Sequence, residues 1–364
     1  MTSVLTDSTG LRGEGELGTP FATGINAIPR PLCPLCGCVG KPLYAGLIDW
    51  LYGVPETWGT SRCSYCEVAW LDPQPVADDI PRMYSHYCTH DASRATTWIG
   101  RLQDAMSDCA LARLGYPLNS PKGILPRLLS HLPSAERVAI LGVLALPVST
   151  AGSLLDVGCG NGQFIARMRS FGWTVTGIDP DPTAVDYGQR QGLDIRSGTI
   201  SDLPDTDCYD VITLSHVIEH VADPVNLLRE CCKRLRPGGG RLVITTPNIN
   251  SLGHALFRKY WRGLEVPRHF VLFSPTGLRD CVQRAGLSLQ SLSTETRLAQ
   301  MIYRQSACAS SGDRDVGQRT NFKIGTKLAA RLFRMIENSV VRLKKDAGEE
   351  IFCVCMKPAK NDRD

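Results

Sequence analysis

No stretch of this 364-residue sequence is long and apolar enough to cross a bilayer. A spanning helix needs about 20 predominantly apolar residues; the most apolar run, Val138 to Val148, is short and interrupted by Pro147. The N-terminus, MTSVLTDSTGLRGEGELGTP, lacks a basic segment followed by an apolar core, so no secretory leader is expected. Charge of one sign is also scarce. The 40 Lys and Arg oppose 36 Asp and Glu, and the net +4 is too weak a field to argue for nucleic acid as a partner. No internal repeat is evident. These absences leave a reduced, cytoplasmic protein as the expectation, with length and 43% hydrophobic content for one large domain and a smaller module.

Cysteine, by contrast, is plentiful, with 15 residues. In a long chain without a secretory signal these read as metal ligands or small core residues, not as a disulfide framework. Two C-x-x-C knuckles stand out: Cys33 and Cys36 in CPLCG, Cys63 and Cys66 in RCSYC. Each puts two thiolates on one tight turn, and together they fill a tetrahedral zinc site with no open position. A structural zinc ribbon is therefore expected over residues 29–80, with Cys38 as a competing ligand and His86, Cys88 and His90 nearby. Residues 1–28, rich in Gly, Thr and Ser, read as a disordered lead. Residues 81–150 read as a helical connector broken by prolines. Its clearest helix is SAERVAILGVLAL, with Ser134 as N-cap.

Residues 151–364 have a different rhythm. SLLDVG, WTVTGIDP, LDIRSG, YDVITLS and RLVITTPN read as strands, and QFIARMRSFG, PTAVDYGQRQG, DPVNLLRECCKRLRPGGG and SPTGLRDCVQRAG as helices. Asp223 and Pro224 start the third helix, on which Val225, Leu228, Cys232 and Leu235 share a face. Ser274 and Pro275 start the fourth, and Gly286 stops it. Such alternation predicts a parallel sheet with helices on both faces. LSLQSLST and EEIFCVCMK are the last strands. Between them, Lys323 to Lys345 reads as a basic amphipathic helix with Leu328, Leu332, Met335 and Val340 on its apolar stripe. That stripe either docks on the sheet or makes a peripheral membrane contact.

The first strand-to-helix turn, LLDVGCGNGQF, carries Asp156, Gly158, Gly160 and Gly162. Glycines there let backbone N–H groups approach a ligand at a helix N-terminus. A dinucleotide fingerprint would require glycine at position 163, which is Gln. The loop instead resembles motif I, D-x-G-x-G-x-G, of the class I methyltransferases that use S-adenosylmethionine. The resemblance continues through VTGIDPD, YDVITLSHVIEHVADP, LRPGGGRLVITTPN and WRGLEVPRHFVLFSPTGL, over residues 150 to 290 or so. It points to the branch containing ubiquinone-pathway O-methyltransferases and enzymes of sugar and glycan modification. It implies a Rossmann-like seven-stranded α/β sheet, S-adenosylmethionine as cofactor, and a small-molecule, sugar or glycan-intermediate acceptor. It places Gly158, Cys159, Gly160 and Gly162 at the amino-acid end of the cofactor, with Asp156 organising the turn. Asp179 and Pro180 fall at the ribose, Thr199, Ile200 and Asp202 at the adenine, and Ser215 beside the cofactor. Thr199 departs from the acidic residue of many relatives. Similar knuckles precede the methyltransferase domain in this branch, so the ribbon is expected to face the acceptor. The alternative from another class is a catalytically inactive protein that keeps zinc and cofactor binding.

TLSHVIEHVADP contains His216-x-x-Glu219-His220, the pattern of a family of zinc peptidases. On a helix, His216 and His220 would share a face. One reading is a zinc hydrolase with Glu219 as base and Glu230 or Glu265 as a further ligand. A second is a divalent metal site of His216, Glu219 and His220 on the acceptor side of a methyl-transfer site. Ubiquinone-pathway relatives carry E-x-x-E-H here with a divalent ion, and the exchange of a carboxylate for His216 leaves zinc open. A third is structural, with these side chains holding the next helix by hydrogen bonds. In the lid segment WRGLEVPRHFVLFS, His269 is the expected general base, with His216 the other candidate. Arg268 is expected to hold an anionic acceptor group, and Trp261 belongs to the lid or the core.

Overall fold

The computed structural model of the protein describes residues 24–84, 98–118, 123–312, 316 and 322–359. The N-terminal part contains five short strands, β1 (Ala27–Ile28), β2 (Lys41–Leu47), β3 (Trp58–Arg62), β4 (Ala69–Leu71) and β5 (Gln74–Pro75). Three helices follow, α1 (Trp98–Arg113), α2 (Ile124–Leu129) and α3 (Pro133–Leu141). The segment expected to be a disordered lead ends earlier than residue 28, because Ala27–Ile28 pairs with Gln74–Pro75; residues 1–23 lie outside the described residues, as do His86, Cys88 and His90. In α3 the N-cap is Leu132, not Ser134. Pro133 takes the first helical position, where its fixed φ and missing N–H cost nothing.

Beyond residue 151 the elements alternate as expected: β6 (Ser153–Val157), α4 (Gln163–Ser170), β7 (Thr174–Asp179), α5 (Pro182–Arg190), β8 (Ile195–Ser197), β9 (Val211–Ser215), α6 (Pro224–Arg234) and β10 (Arg241–Pro247). Then come α7 (Leu252–Phe257), β11 (Val271–Leu272), α8 (Pro275–Arg284), β12 (Ser288–Glu295), α9 (Ala299–Ser310), α10 (Ile324–Leu343) and β13 (Glu350–Met356). Seven strands form one sheet in the order β12-β13-β10-β9-β6-β7-β8. Neighbours from β8 to β10 pair in parallel, and β13 runs antiparallel between β10 and β12. This is the Rossmann-like arrangement of a class I methyltransferase sheet.

The start signals act as the sequence predicts. The Asp223 carboxylate accepts from Asn226 N and the Ser274 hydroxyl from Gly277 N, each with proline next in the chain. On α6, however, Cys231 is buried and Cys232 is only half-buried. α10 also differs from its docking expectation. Ala330, Phe333 and Glu337 form its buried face, while Ile324 (77% exposed), Leu328, Leu332 and Met335 face outward.

The cysteine module is not a bead on a linker. β11 from the α/β domain joins its sheet, giving the order β11-β4-β3-β2 with Val271 opposite Trp70 and Leu272 opposite Ala69. Trp70, Leu71 and Val68 share one continuous core with Phe270, Phe273 and Leu278.

Candidate functional site

The C-terminal ends of β6, β7, β8 and β9 lie side by side, the edge at which open α/β sheets bind ligands. After β6 the chain turns through Gly158, Gly160 and Gly162, whose φ values of 69°, 54° and 80° lie in the left-handed region that favours glycine. A Cβ on Gly158 would strike Val217 at 2.5 Å, whereas the space in front of Gly160 is open. The cradle needed by a close-approaching ligand is thus present. The Asp179 carboxylate, at the end of β7, accepts from Gly160 N at 2.8 Å and from Asp181 N at 2.9 Å. Asp179 therefore links the glycine loop to the end of the second strand.

Asp156 does not organise the turn as expected. It is buried in the sheet and accepts the Thr213 hydroxyl at 2.5 Å, tying β6 to β9. Burial, with Asp179 nearby, pushes its carboxyl up to about 7. Cys159 is buried beneath the loop and Pro180 is exposed beyond Asp179. After β8, Ile200 is buried and Thr199 exposed; both Thr199 N and its hydroxyl donate to Asp202 Oδ2, a capping box that orders this wall. Ser215 ends β9, with its hydroxyl 3.2 Å from that of Thr245.

HVIEH is not a helix. His216 has φ +57°, and only Ile218–His220 form a 3-10 turn. The two histidines do not share a helical face, which removes the geometry of the peptidase reading. Both ring nitrogens of His216 face carboxylates, Nδ1 at 3.2 Å from Glu219 and Nε2 at 2.8 Å from Glu350. Burial opposes charge on the ring, but these two carboxylates prevail and raise it to about 10. A protonated imidazole with both nitrogens engaged is neither a general base nor a metal ligand, so both expectations for His216 are corrected.

His269 takes its place. Glu219, His220 and His269 each offer a ligand atom, all within 4.8 Å of one another. His269 Nδ1 lies 2.7 Å from the Gly263 carbonyl, and His220 Nδ1 lies 3.1 Å from the Arg268 carbonyl. A carbonyl oxygen only accepts, so His269 Nδ1 carries the proton and its Nε2, 3.5 Å from Glu265 Oε2, has the lone pair; His220 Nδ1 also meets the Tyr84 hydroxyl at 3.1 Å, a group that can donate or accept. Burial pushes His269 down to about 4, which keeps its ring neutral. Glu219 is buried and also accepts the Thr246 hydroxyl at 3.0 Å; burial works against its charge, but His216 holds it down at about 2. Two imidazoles and a carboxylate form a donor set suited to a divalent transition metal.

Arg268 is not available to an acceptor. Its side chain is fully buried, and Nη1 and Nη2 donate to Asp49 at 2.7 and 2.9 Å while Nε donates to Glu265 at 3.3 Å. The Tyr52 ring lies beneath the guanidinium, 4.4 Å from ring centroid to carbon. Asp49 also accepts from the backbone N–H groups of Leu51, Tyr52 and Val54. Arg268 thus fastens a loop of the cysteine module to the lid segment, which corrects its expected anion-holding role. Trp261 is core, its indole N–H donating to Glu349 at 2.9 Å. Asp49 was missed because a lone aspartate in LIDWLYG carries no motif.

Among the cysteines, Cys33, Cys36, Cys63 and Cys66 converge as their spacing requires. Sγ separations are 3.3 Å for Cys33–Cys66, 3.5 Å for Cys36–Cys63 and 3.8 Å for Cys36–Cys66. A tetrahedral zinc with 2.3 Å bonds sets its sulfurs about 3.8 Å apart, so the donor set fits. Tyr65 N and Cys66 N donate to Cys63 Sγ. Cys38 is exposed and outside the four.

Comparison with known proteins gives the family. A family described as a methyltransferase domain matches residues 119–292. The ubiquinone biosynthesis O-methyltransferase of Caulobacter vibrioides is 43% identical over 101 residues, 26% of this chain and 40% of that protein. The protein of the same name from Marinobacter nauticus is 33% identical over 167 residues, 41% of this chain and 69% of its own length. The match to the first of these spans only about two fifths of that relative. A solved S-adenosylmethionine-dependent methyltransferase from Archaeoglobus fulgidus is 17% identical with a TM-score of 0.37, covering 57% of this chain and 86% of that one.

Proposed function

Because the chain belongs to the class I S-adenosylmethionine-dependent methyltransferases, we propose that it transfers the cofactor's methyl group to a hydroxyl oxygen of a small-molecule acceptor. The observation that carries this reading is the open cradle at Gly160 with the Asp179 carboxylate bonded to its N–H. When bound, the sulfonium supplies an electrophilic methyl on a good leaving group. The protein's work is then to align the acceptor and exclude water. In this reading Gly158, Cys159, Gly160 and Gly162 receive the amino-acid end, Asp179 and Pro180 the ribose, Thr199 and Ile200 the adenine, and Ser215 borders the methyl side.

Glu219, His220 and His269 would hold a divalent ion on the acceptor side, where it would lower the pKa of a coordinated hydroxyl. Without an ion, the neutral His269 Nε2 would accept the acceptor's proton. The four cysteines would hold structural zinc. A sugar or glycan intermediate is one acceptor class that fits, since such molecules are rich in hydroxyls. The outward stripe of α10, flanked by Lys323, Lys327, Arg331 and Arg334, fits peripheral contact with an anionic membrane surface.

Incubation with methyl-labelled S-adenosylmethionine and a panel of hydroxyl-bearing metabolites tests the reading. Label should move to at least one acceptor. His269→Ala should slow that transfer by about 100-fold or more, the usual size of an acid–base contribution, with cofactor affinity preserved. Parallel loss of cofactor affinity would reassign His269 to cofactor binding.

A further inference from the structure

A second cleft lies at the seam between the cysteine module and the α/β domain, with a volume of about 560 Å³. Tyr44 of β2 and Arg62 of β3 form one wall, and Asn250, His254 and Arg258 from the segment after β10 form the other, with Lys344 at the end of α10 closing it. We propose that this cleft binds a phosphate or diphosphate group, carried by the acceptor. The substrate part of the inference rests on the methyl-transfer reading above; the anion site does not.

Among the described residues, Arg62, Arg258 and Lys344 line the cleft and no carboxylate does. Among the described residues none of the three forms an ion pair. The nearest acid by hydrogen bonding is Glu67, which accepts from Asn250 Nδ2 at 3.2 Å, one residue removed from the cleft surface. Asn250 in turn accepts from Arg62 Nη2 at 2.6 Å and so steadies the guanidinium at the mouth. Three converging cations repel one another, and they suit a ligand with two or more negative charges better than a single carboxylate. The planar forks of the two arginines match phosphate oxygens.

The cleft is also built with some care. His254 Nδ1 lies 2.6 Å from the Ile249 carbonyl, so it carries the proton, and Nε2 accepts the Tyr44 hydroxyl at 3.0 Å. That bond joins the two walls and fixes the Tyr44 ring. Arg258 has φ +49° and ψ −120°, a conformation that L-residues rarely adopt, at the end of α7. Strained backbone of this kind gathers at ligand sites because surrounding structure must hold it. The volume lies in the range of small-molecule sites. Residues 249–251 follow β10 directly, so the cleft opens on the same C-terminal edge of the sheet as the glycine loop, Asp179 and the Glu219 group.

The test is calorimetric titration of the full chain with inorganic pyrophosphate, beside the variant Arg258→Gln/Lys344→Gln. Both side chains are exposed, and an unchanged melting temperature shows that the variant folds. Pyrophosphate should bind, and the variant should lose affinity by about tenfold or more, the usual weight of charge-assisted hydrogen bonds, while S-adenosylmethionine affinity stays within about twofold. No binding at millimolar pyrophosphate, or equal binding by both proteins, overturns the site. Two competition arms identify the source of the phosphate. Displacement by uridine diphosphate alone indicates a soluble nucleotide ester. Displacement by phosphatidylcholine vesicles containing phosphatidic acid, but not by pure phosphatidylcholine, indicates a lipid phosphate. Displacement by neither counts against the proposal. Failure of cofactor binding with pyrophosphate binding intact would remove the methyl-transfer reading and leave the anion site standing.

Discussion

Arg268 shows how far a residue's chemistry depends on what surrounds it. Its guanidinium and the Asp49 carboxylate are both fully enclosed, so each charge relies on the other. Burial opposes the charge, yet Asp49 and Glu265 hold the guanidinium above its ordinary range. Arg268→Met should therefore cost roughly 3–5 kcal/mol, chiefly through the stranded Asp49. Adding Asp49→Asn should recover part of that loss, and denaturant melts of the single and double variants check it. At this scale the sequence was legible where a residue's role is local. Gly158, Gly160 and Gly162 follow from their spacing, and the four cysteines from theirs. It was illegible where a role depends on a distant partner. Arg268 meets Asp49 across 219 positions and His216 meets Glu350 across 134. No pattern near either residue announces such a meeting, and a motif that reads as catalytic becomes a buttress once both its nitrogens are engaged.

At the scale of elements, strands and helices of the α/β domain follow from period and caps, because local signals determine them. The HVIEH segment did not, since His216 continues to hydrogen-bond β10 through Thr245 before the chain turns. α10 was legible as a helix, but not its buried face. That face holds Glu337, fully enclosed with no well-formed hydrogen bond to its carboxyl oxygens. Burial, with Glu349 alongside, pushes its carboxyl up to about 9. The sign follows from proton linkage. Between about 4.5, its ordinary value, and 9 the folded chain holds a proton that the unfolded chain has released, so this group's contribution to stability falls as pH rises across that window. Glu337→Gln should remove the penalty, raising stability at pH 8 by roughly 1–3 kcal/mol and leaving it little changed at pH 4. Melting curves across pH decide the matter; an unchanged pH dependence would show that Glu337 is ionised or solvated.

For the whole molecule, the structural point is that the cysteine module and the α/β domain share a sheet, a core and a buried ion pair. The module's existence could be read from two C-x-x-C spacings, but its fusion through β11 could not, because Val271–Leu272 is only two residues long and has no periodicity. One consequence is measurable. Purified protein should carry one zinc per chain through the four cysteines, and Cys63→Ser should abolish it and lower the melting temperature of the whole chain in a single transition. A separate low-temperature transition would show that the module folds alone. The same unity brings module residues to the C-terminal edge of the sheet, where glycine loop, Asp179, Glu219, His220 and His269 are gathered.

Calorimetric titration of the parent protein and of Asp179→Asn with S-adenosylmethionine tests whether this edge holds the cofactor. The parent should bind saturably and the variant about 10-fold or more weakly, as expected for hydrogen bonds to a charged group. No heat of binding in the parent, or equal affinity in the two proteins, would mean that the cofactor does not lie against Asp179.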